Sequence, residues 1–134
     1  IRDRYVSCGP KIINKIHDLG FQIFLDLKFH DIKNTVSMAA LAAAKLGVWM
    51  INIHSSCGLD TMNEVINVIK QNNYNTKVLG VTILTSLDDK EIKQIGFSNS
   101  VQEQVMLMAS ICEKANLHGV VCSANEVRNI KQKI

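Results

Sequence analysis

Strand-like and helix-like segments alternate four times along this chain with no hairpin signal between them, and that alternation limits the folds available. Pro10 opens a stripe of Ile12, Ile13, Ile16 and Leu19 that stops at Gly20, as helices with an early proline and a terminal glycine do. Residues 21–27 are then short, apolar and rich in aromatic and branched side chains, which suits a strand buried on both faces. Val36, Ala39, Ala40, Ala43 and Leu46 mark the next helix, with Gly47 as its stop. Residues 48–53 form a second strand, and Met62, Val65, Ile66 and Ile69 a helix that ends at the polar turn Gln71-Asn72-Asn73. Residues 77–84 form a third strand, followed by a long polar connection. Ser100 and Glu103 then read as a capping box for a helix carrying Val105, Met108 and Cys112. Residues 119–122 make a fourth strand, and Ser123 with Glu126 a second capping box opening the last helix.

Such an order predicts an α/β fold with a parallel sheet and right-handed crossovers. Open doubly wound sheets and (β/α)8 barrels both satisfy it. No Gly-x-Gly-x-x-Gly follows a strand and no Gly-x-x-x-x-Gly-Lys occurs, so the phosphate-cradling loops of the common nucleotide-binding open sheets are absent and the barrel is favoured. A whole barrel takes about 250 residues. The 134 residues here are therefore expected to form one domain, 1–134, supplying about four central βα units and incomplete at both ends. Starting at Ile1 rather than Met points the same way.

Composition removes several classes of function. With 47% hydrophobic and 20% charged residues the chain has material for a core and is not disordered. Its longest apolar-rich stretch, 36–53, is broken by Lys45 and Asn52, so no membrane span is expected, and the N-terminus lacks the layout of a signal peptide. Cys8, Cys57, Cys112 and Cys122 are scattered, without the spacing of a zinc site or a disulfide framework, and read as thiols of a cytoplasmic protein. A net charge of +3, with Arg128, Lys131 and Lys133 spread along the last helix, is too weak a footprint for nucleic-acid binding.

Chemistry concentrates in the segment Phe-Leu-Asp-Leu-Lys-Phe-His-Asp, residues 24–31. Residues two apart on a strand share a face, so Asp26 and Lys28 point one way and Leu25 and Leu27 the other. If the leucines pack against helices, the charges face the barrel interior near the C-terminal strand ends, where such barrels place their chemistry. The alternative is a structural ion pair, with Asp31 as N-cap of the following helix and Lys28 on the surface. Because a buried ion pair adds little net stability, an inward Asp/Lys/Asp cluster leans toward function.

This segment, continued by Ile32 and Asn34-Thr35, resembles the signature of the orotidine 5′-phosphate decarboxylase family. Residues 46–54, 81–86 and 119–124 are similar to that family's next three strands in the same order, so the resemblance covers nearly the whole chain. It implies cofactor-free, metal-free decarboxylation of orotidine 5′-phosphate to UMP, the last step of de novo pyrimidine synthesis. Lys28 is then the ammonium that stabilises the ring carbanion and donates the replacing proton, and Asp26 lies near the departing carboxylate. Asp31, with Ile32 and Thr35, would reach the neighbouring subunit's site in a homodimer, and Thr85 would contact the pyrimidine.

His30 and His54 could be mistaken for metal ligands beside Asp26 and Asp31, but a lysine in the cluster repels a cation, so both are read as hydrogen-bonded structural residues. Two departures stand out: Lys33 replaces the family's proline, and Cys57 replaces a glycine before Gly58. The family's ribose-binding aspartate and second lysine should precede residue 1, and its phosphate-gripping loops should follow residue 134. Two rivals remain. Magnesium-dependent 3-keto-L-gulonate 6-phosphate decarboxylase and hexulose-phosphate synthase share Asp-x-Lys-x-x-Asp, but with Thr-Met where this chain has Phe29-His30. A noncatalytic half-barrel, prone to associate through open sheet edges, is the other.

Overall fold

The computed structural model describes residues 1–133. Its elements run α1 (Asp3–Cys8), α2 (Lys11–Asp18), β1 (Phe24–Phe29), α3 (Lys33–Lys45), β2 (Met50–His54), a single 3-10 turn (Ser55–Cys57), α4 (Leu59–Gln71), β3 (Lys77–Val81), α5 (Asp89–Gln94), α6 (Val101–Lys114), β4 (Gly119–Val121) and α7 (Val127–Lys133).

All four strands are parallel and lie in the order β1-β2-β3-β4, each beside its sequence neighbour. Leu25, Ile51, Ile53 and Val78 point to one face and share a core with Val36, Ala40 and Ala43 of α3, Met62, Val65 and Ile69 of α4, and Cys112 of α6. On that face α3 packs against α4 and α4 against α6. Helices on one face of a sheet whose strand order never reverses make a sector of a (β/α)8 barrel, since a doubly wound sheet has a switch point and helices on both faces. Asp26, Asn52 and Leu79 alternate with the core residues and so face the barrel interior.

Close packing between sheet and helices is sharpest at Gly80. A Cβ there would lie 2.2 Å from Cys112 Sγ and 3.2 Å from Leu117 Cδ1. Gly80→Ala is therefore expected to destabilise the fold by about 1–3 kcal/mol, the usual cost of overpacking. In a urea titration, combining it with Cys112→Ala should recover part of that loss. Simple additivity of the two variants would count against the contact.

Element boundaries differ from expectation in several places. β1 starts at Phe24 instead of Phe21, because Gly20 N–H bonds His17 O (2.8 Å) and Phe21 N–H bonds Ile16 O (3.4 Å), a Schellman closure that ties Phe21 to α2 and leaves it exposed. β3 ends at Val81, three residues before the expected end at Leu84, which is exposed. The long polar connection contains α5, whose Asp88 Oδ1 accepts from Lys90 and Glu91 N–H while Glu91 Oε2 accepts from Asp88 N–H. Only Ile92 of that helix is buried, so it carries too little apolar periodicity to announce itself. The box at Ser100 and Glu103 forms as expected, whereas at Ser123 only the Glu126 carboxylate bonds back and α7 begins at Val127.

Candidate active site

β1 carries the charged pair and departs from regular strand geometry to do so. Its register passes from Leu25↔Ile51 to Phe29↔Ile53, four residues (29 − 25) against two (53 − 51), so the strand bulges. Within the bulge Lys28 has φ +53°, a left-handed conformation that side chains with a Cβ seldom take. Its backbone N–H leaves the ladder and donates to Asn52 Oδ1 at 2.8 Å. Asn52 Nδ2 donates to Asp26 Oδ1 at 2.5 Å, and Lys28 Nζ donates to the same oxygen at 2.5 Å. Leu25 is fully buried and Leu27 packs on the same core, which sends Asp26 and Lys28 to the interior as the alternation predicts.

Three residues thus form a closed set: Asp26 holds the ammonium, Asn52 holds Asp26, and Asn52 also holds the backbone that carries the ammonium. Burial pushes the Asp26 carboxyl upward. Hydrogen bonds from Lys28 and Asn52, with the charges of Lys28 and Arg2, outweigh it and leave the group below its ordinary value. Asp26 is therefore ionised at neutral pH, and its charge attracts the Lys28 ammonium. The side chains of Lys28 and Asp26 remain 28% and 33% exposed, so a ligand arriving from the interior can reach both.

In the sequence Asn52 is visible as a break in an apolar run. It is 1% exposed, and a buried amide in Met-Ile-Asn-Ile is a signal in its own right, since a buried polar side chain needs partners.

The other expected site residues lie apart from this set. Asp31 is exposed and its Oδ1 accepts the N–H of Ile32 at 2.7 Å. The N-cap of α3 is Ile32, so the structural alternative for Asp31 as N-cap does not hold. Ile32 is 73% exposed, and Thr35 is exposed in the first turn of α3. Thr85 is exposed beyond β3, and the hydroxyl bonded to backbone there belongs instead to Thr82, which donates to Val121 O at 3.1 Å. Neither family departure distorts the chain. Ile32 takes φ −62° and ψ 155°, the extended conformation that a following proline imposes, and Lys33 occupies the first helical position, which suits proline. Cys57 lies in the 3-10 turn and Gly58, at φ +89°, makes the sharp step into α4.

At the same strand ends His30 and His54 stack, ring centroids 4.9 Å apart and 22° from parallel. Ser56 Oγ lies 3.1 Å from His30 Nε2 and 2.6 Å from His54 Nδ1, and its N–H also approaches His54 Nδ1. Burial and the neighbouring His30 charge lower the His54 pKa, which favours a neutral ring able to accept these bonds. Both histidines are hydrogen-bonded, as the sequence reading expected. They border a cavity of about 330 Å³ walled by Ile83, Leu84, Leu87, Ile95 and Phe97. Among the described residues no three His, Cys, Asp or Glu side chains converge as a metal centre requires.

A family described as orotidine 5′-phosphate decarboxylase / HUMPS matches residues 3–134. Orotidine 5′-phosphate decarboxylase of Saccharophagus degradans is 44% identical over 133 residues, 99% of this chain and 56% of that protein. The chain thus spans about half the length of that relative. Among solved structures, a conserved uncharacterized protein of Geobacillus kaustophilus superposes with a TM-score of 0.91 at 34% identity, over 96% of this chain and 62% of that one. Orotidine 5′-phosphate decarboxylase of Lactobacillus acidophilus superposes with a TM-score of 0.87 at 33% identity, over 94% of this chain and 58% of that one. With the match running from the first helix through every strand that shapes the Asp26–Lys28 pair, this chain belongs to the orotidine 5′-phosphate decarboxylase / HUMPS family.

Proposed function

We propose that this chain carries the catalytic segment of an orotidine 5′-phosphate decarboxylase, which converts orotidine 5′-phosphate to UMP and CO2 in pyrimidine biosynthesis. The observation behind the reading is the Lys28 ammonium, held 2.5 Å from Asp26 on the interior face near the C-terminal end of a barrel strand.

Decarboxylation breaks the bond between ring carbon C6 and the carboxylate, and the electron pair stays on C6. A nearby cation lowers the cost of that charge most effectively when it is already in place, because no reorganisation is then needed. Lys28 Nζ is that cation, and its proton passes to C6 to give UMP. The neutral amine then recovers a proton from water. Asp26 keeps the Lys28 ammonium aimed and lies beside the departing carboxylate. Thr85 contacts the pyrimidine. Asp31, Ile32 and Thr35 project to the site of a second subunit in a homodimer, a role that their exposure supports. Neither metal nor organic cofactor takes part, and the enzyme works in the cytoplasm.

The test is a spectrophotometric assay of the full-length enzyme on orotidine 5′-phosphate in the presence of a strong chelator. Turnover is expected to persist unchanged. Activity that requires added magnesium, on a sugar phosphate and not on the nucleotide, would instead indicate the enediolate chemistry of the family's other branch.

A further inference from the structure

We propose that Asn52 is a positioning residue of the decarboxylase site, setting both the backbone of Lys28 and the carboxylate of Asp26 through its two amide atoms. The inference rests on the function proposed above and adds a residue to it.

A strand residue normally gives its N–H to the neighbouring strand, and the side chain direction follows from the pleat. Lys28 does neither. With φ +53° inside a bulge, its N–H would be left without a ladder partner, and an unpaired buried donor costs as much as a lost hydrogen bond. Asn52 Oδ1, arriving from β2 at 2.8 Å, supplies the missing acceptor. A non-glycine residue persists in such a conformation when its surroundings over-determine it, and strain of this kind gathers at functional sites.

The same amide's other end fixes Asp26. Its Nδ2 donates to Oδ1, the very oxygen that receives Lys28 Nζ, so this oxygen is pinned between two donors and the carboxylate cannot turn away from the lysine. Asn52 is 1% exposed and flanked by the core residues Ile51 and Ile53, so the strand itself holds its side chain still. An asparagine suits the task because one planar group offers an acceptor and a donor about 2 Å apart. Aspartate would lack the donor, and leucine of similar volume would lack both.

Neither bond touches substrate in this scheme. The expected signature of losing Asn52 is therefore a slower chemical step with nearly unchanged substrate binding. Because one of the bonds holds Asp26 in its ionised form, its loss should also move the acid side of the pH profile upward.

The test compares wild type, Asn52→Leu and Asn52→Ser in the full-length enzyme. Asn52→Leu is expected to lower kcat by about 10- to 100-fold, by analogy with the loss when hydrogen-bond partners that orient metal-ligating side chains are removed, with KM changed less than about threefold. The acid limb of its kcat profile should lie at higher pH than in wild type. Asn52→Ser, whose hydroxyl can both donate and accept, should regain part of the rate. Wild-type kcat in the leucine variant would overturn the proposal, as would a loss tracking only the fraction of folded protein with the acid limb unmoved. If the leucine variant does not fold, the serine variant decides: an unshifted acid limb and unchanged kcat there also overturn it. Absence of decarboxylase activity in wild type would refute the functional reading itself, a result distinct from all of these.

Discussion

Lys28→Ala in the full-length enzyme is expected to lower kcat by about 10⁴-fold or more while the protein remains folded. Two separate contributions leave together. Loss of a positioned general acid typically costs 10²–10⁴-fold, and loss of a preorganised charge at the developing anion about 10²–10³-fold. Stability should change little by comparison. The Lys28 side chain is 28% exposed, and alanine inherits the same left-handed backbone and the same N–H bond to Asn52. Asp26 keeps its bond from Asn52 and can draw on water. Steady-state kinetics beside a thermal melt would check this. A kcat within tenfold of wild type, with the melt unchanged, would remove Lys28 from the mechanism.

The 134-residue chain assayed alone should show no turnover comparable to that of the full-length enzyme. Electrostatic catalysis depends on a site from which water is excluded, yet here a quarter to a third of each side chain of the reactive pair is open to solvent. Curved sheet strands present Asp26, Asn52 and Leu79 to an interior that this sector does not close. Binding energy from parts of the substrate remote from the reacting carbon is normally used to reach the transition state, and a sector offers fewer groups to supply it. Purified chain, incubated with orotidine 5′-phosphate at concentrations well above that of the full enzyme, would show this by an unchanging absorbance. Comparable rates would mean that the groups described here suffice.

Much of the architecture could be read directly from local pattern. Helix stripes closed by Gly20 and Gly47, and apolar runs too short for helices, lead to a parallel α/β order, and the strand sequence in the structure keeps that order. Alternation of Leu25, Asp26, Leu27 and Lys28 likewise carries the side of the sheet on which the charges lie. What escaped was geometry created across the chain. Nothing in the residue type at position 28 announces a positive φ, because lysine has no preference for it; the conformation comes from a bulge against β2 and an amide 24 residues away. Phe21 departs from local pattern for a related reason: its hydrophobicity suits a strand, whereas its N–H closes the preceding helix. α5 escaped because a six-residue helix with one buried side chain, Ile92, has no period to detect.

The tight fit of Cys112 behind Gly80 also makes the protein its own gauge of motion. That thiol is 1% exposed, touches the sulfur of Met62 at 3.9 Å, and burial pushes its pKa up to about 11, so in the closed state it is both shielded and poorly nucleophilic. Cys8, by contrast, is exposed. A thiol reagent added under native conditions will mark Cys8 first, then the half-buried Cys57 and Cys122, and Cys112 last, only during moments when α6 lifts from the sheet. The slow labelling rate therefore reports the free energy of a local opening, resolved to one helix and one strand, without denaturant or an engineered probe.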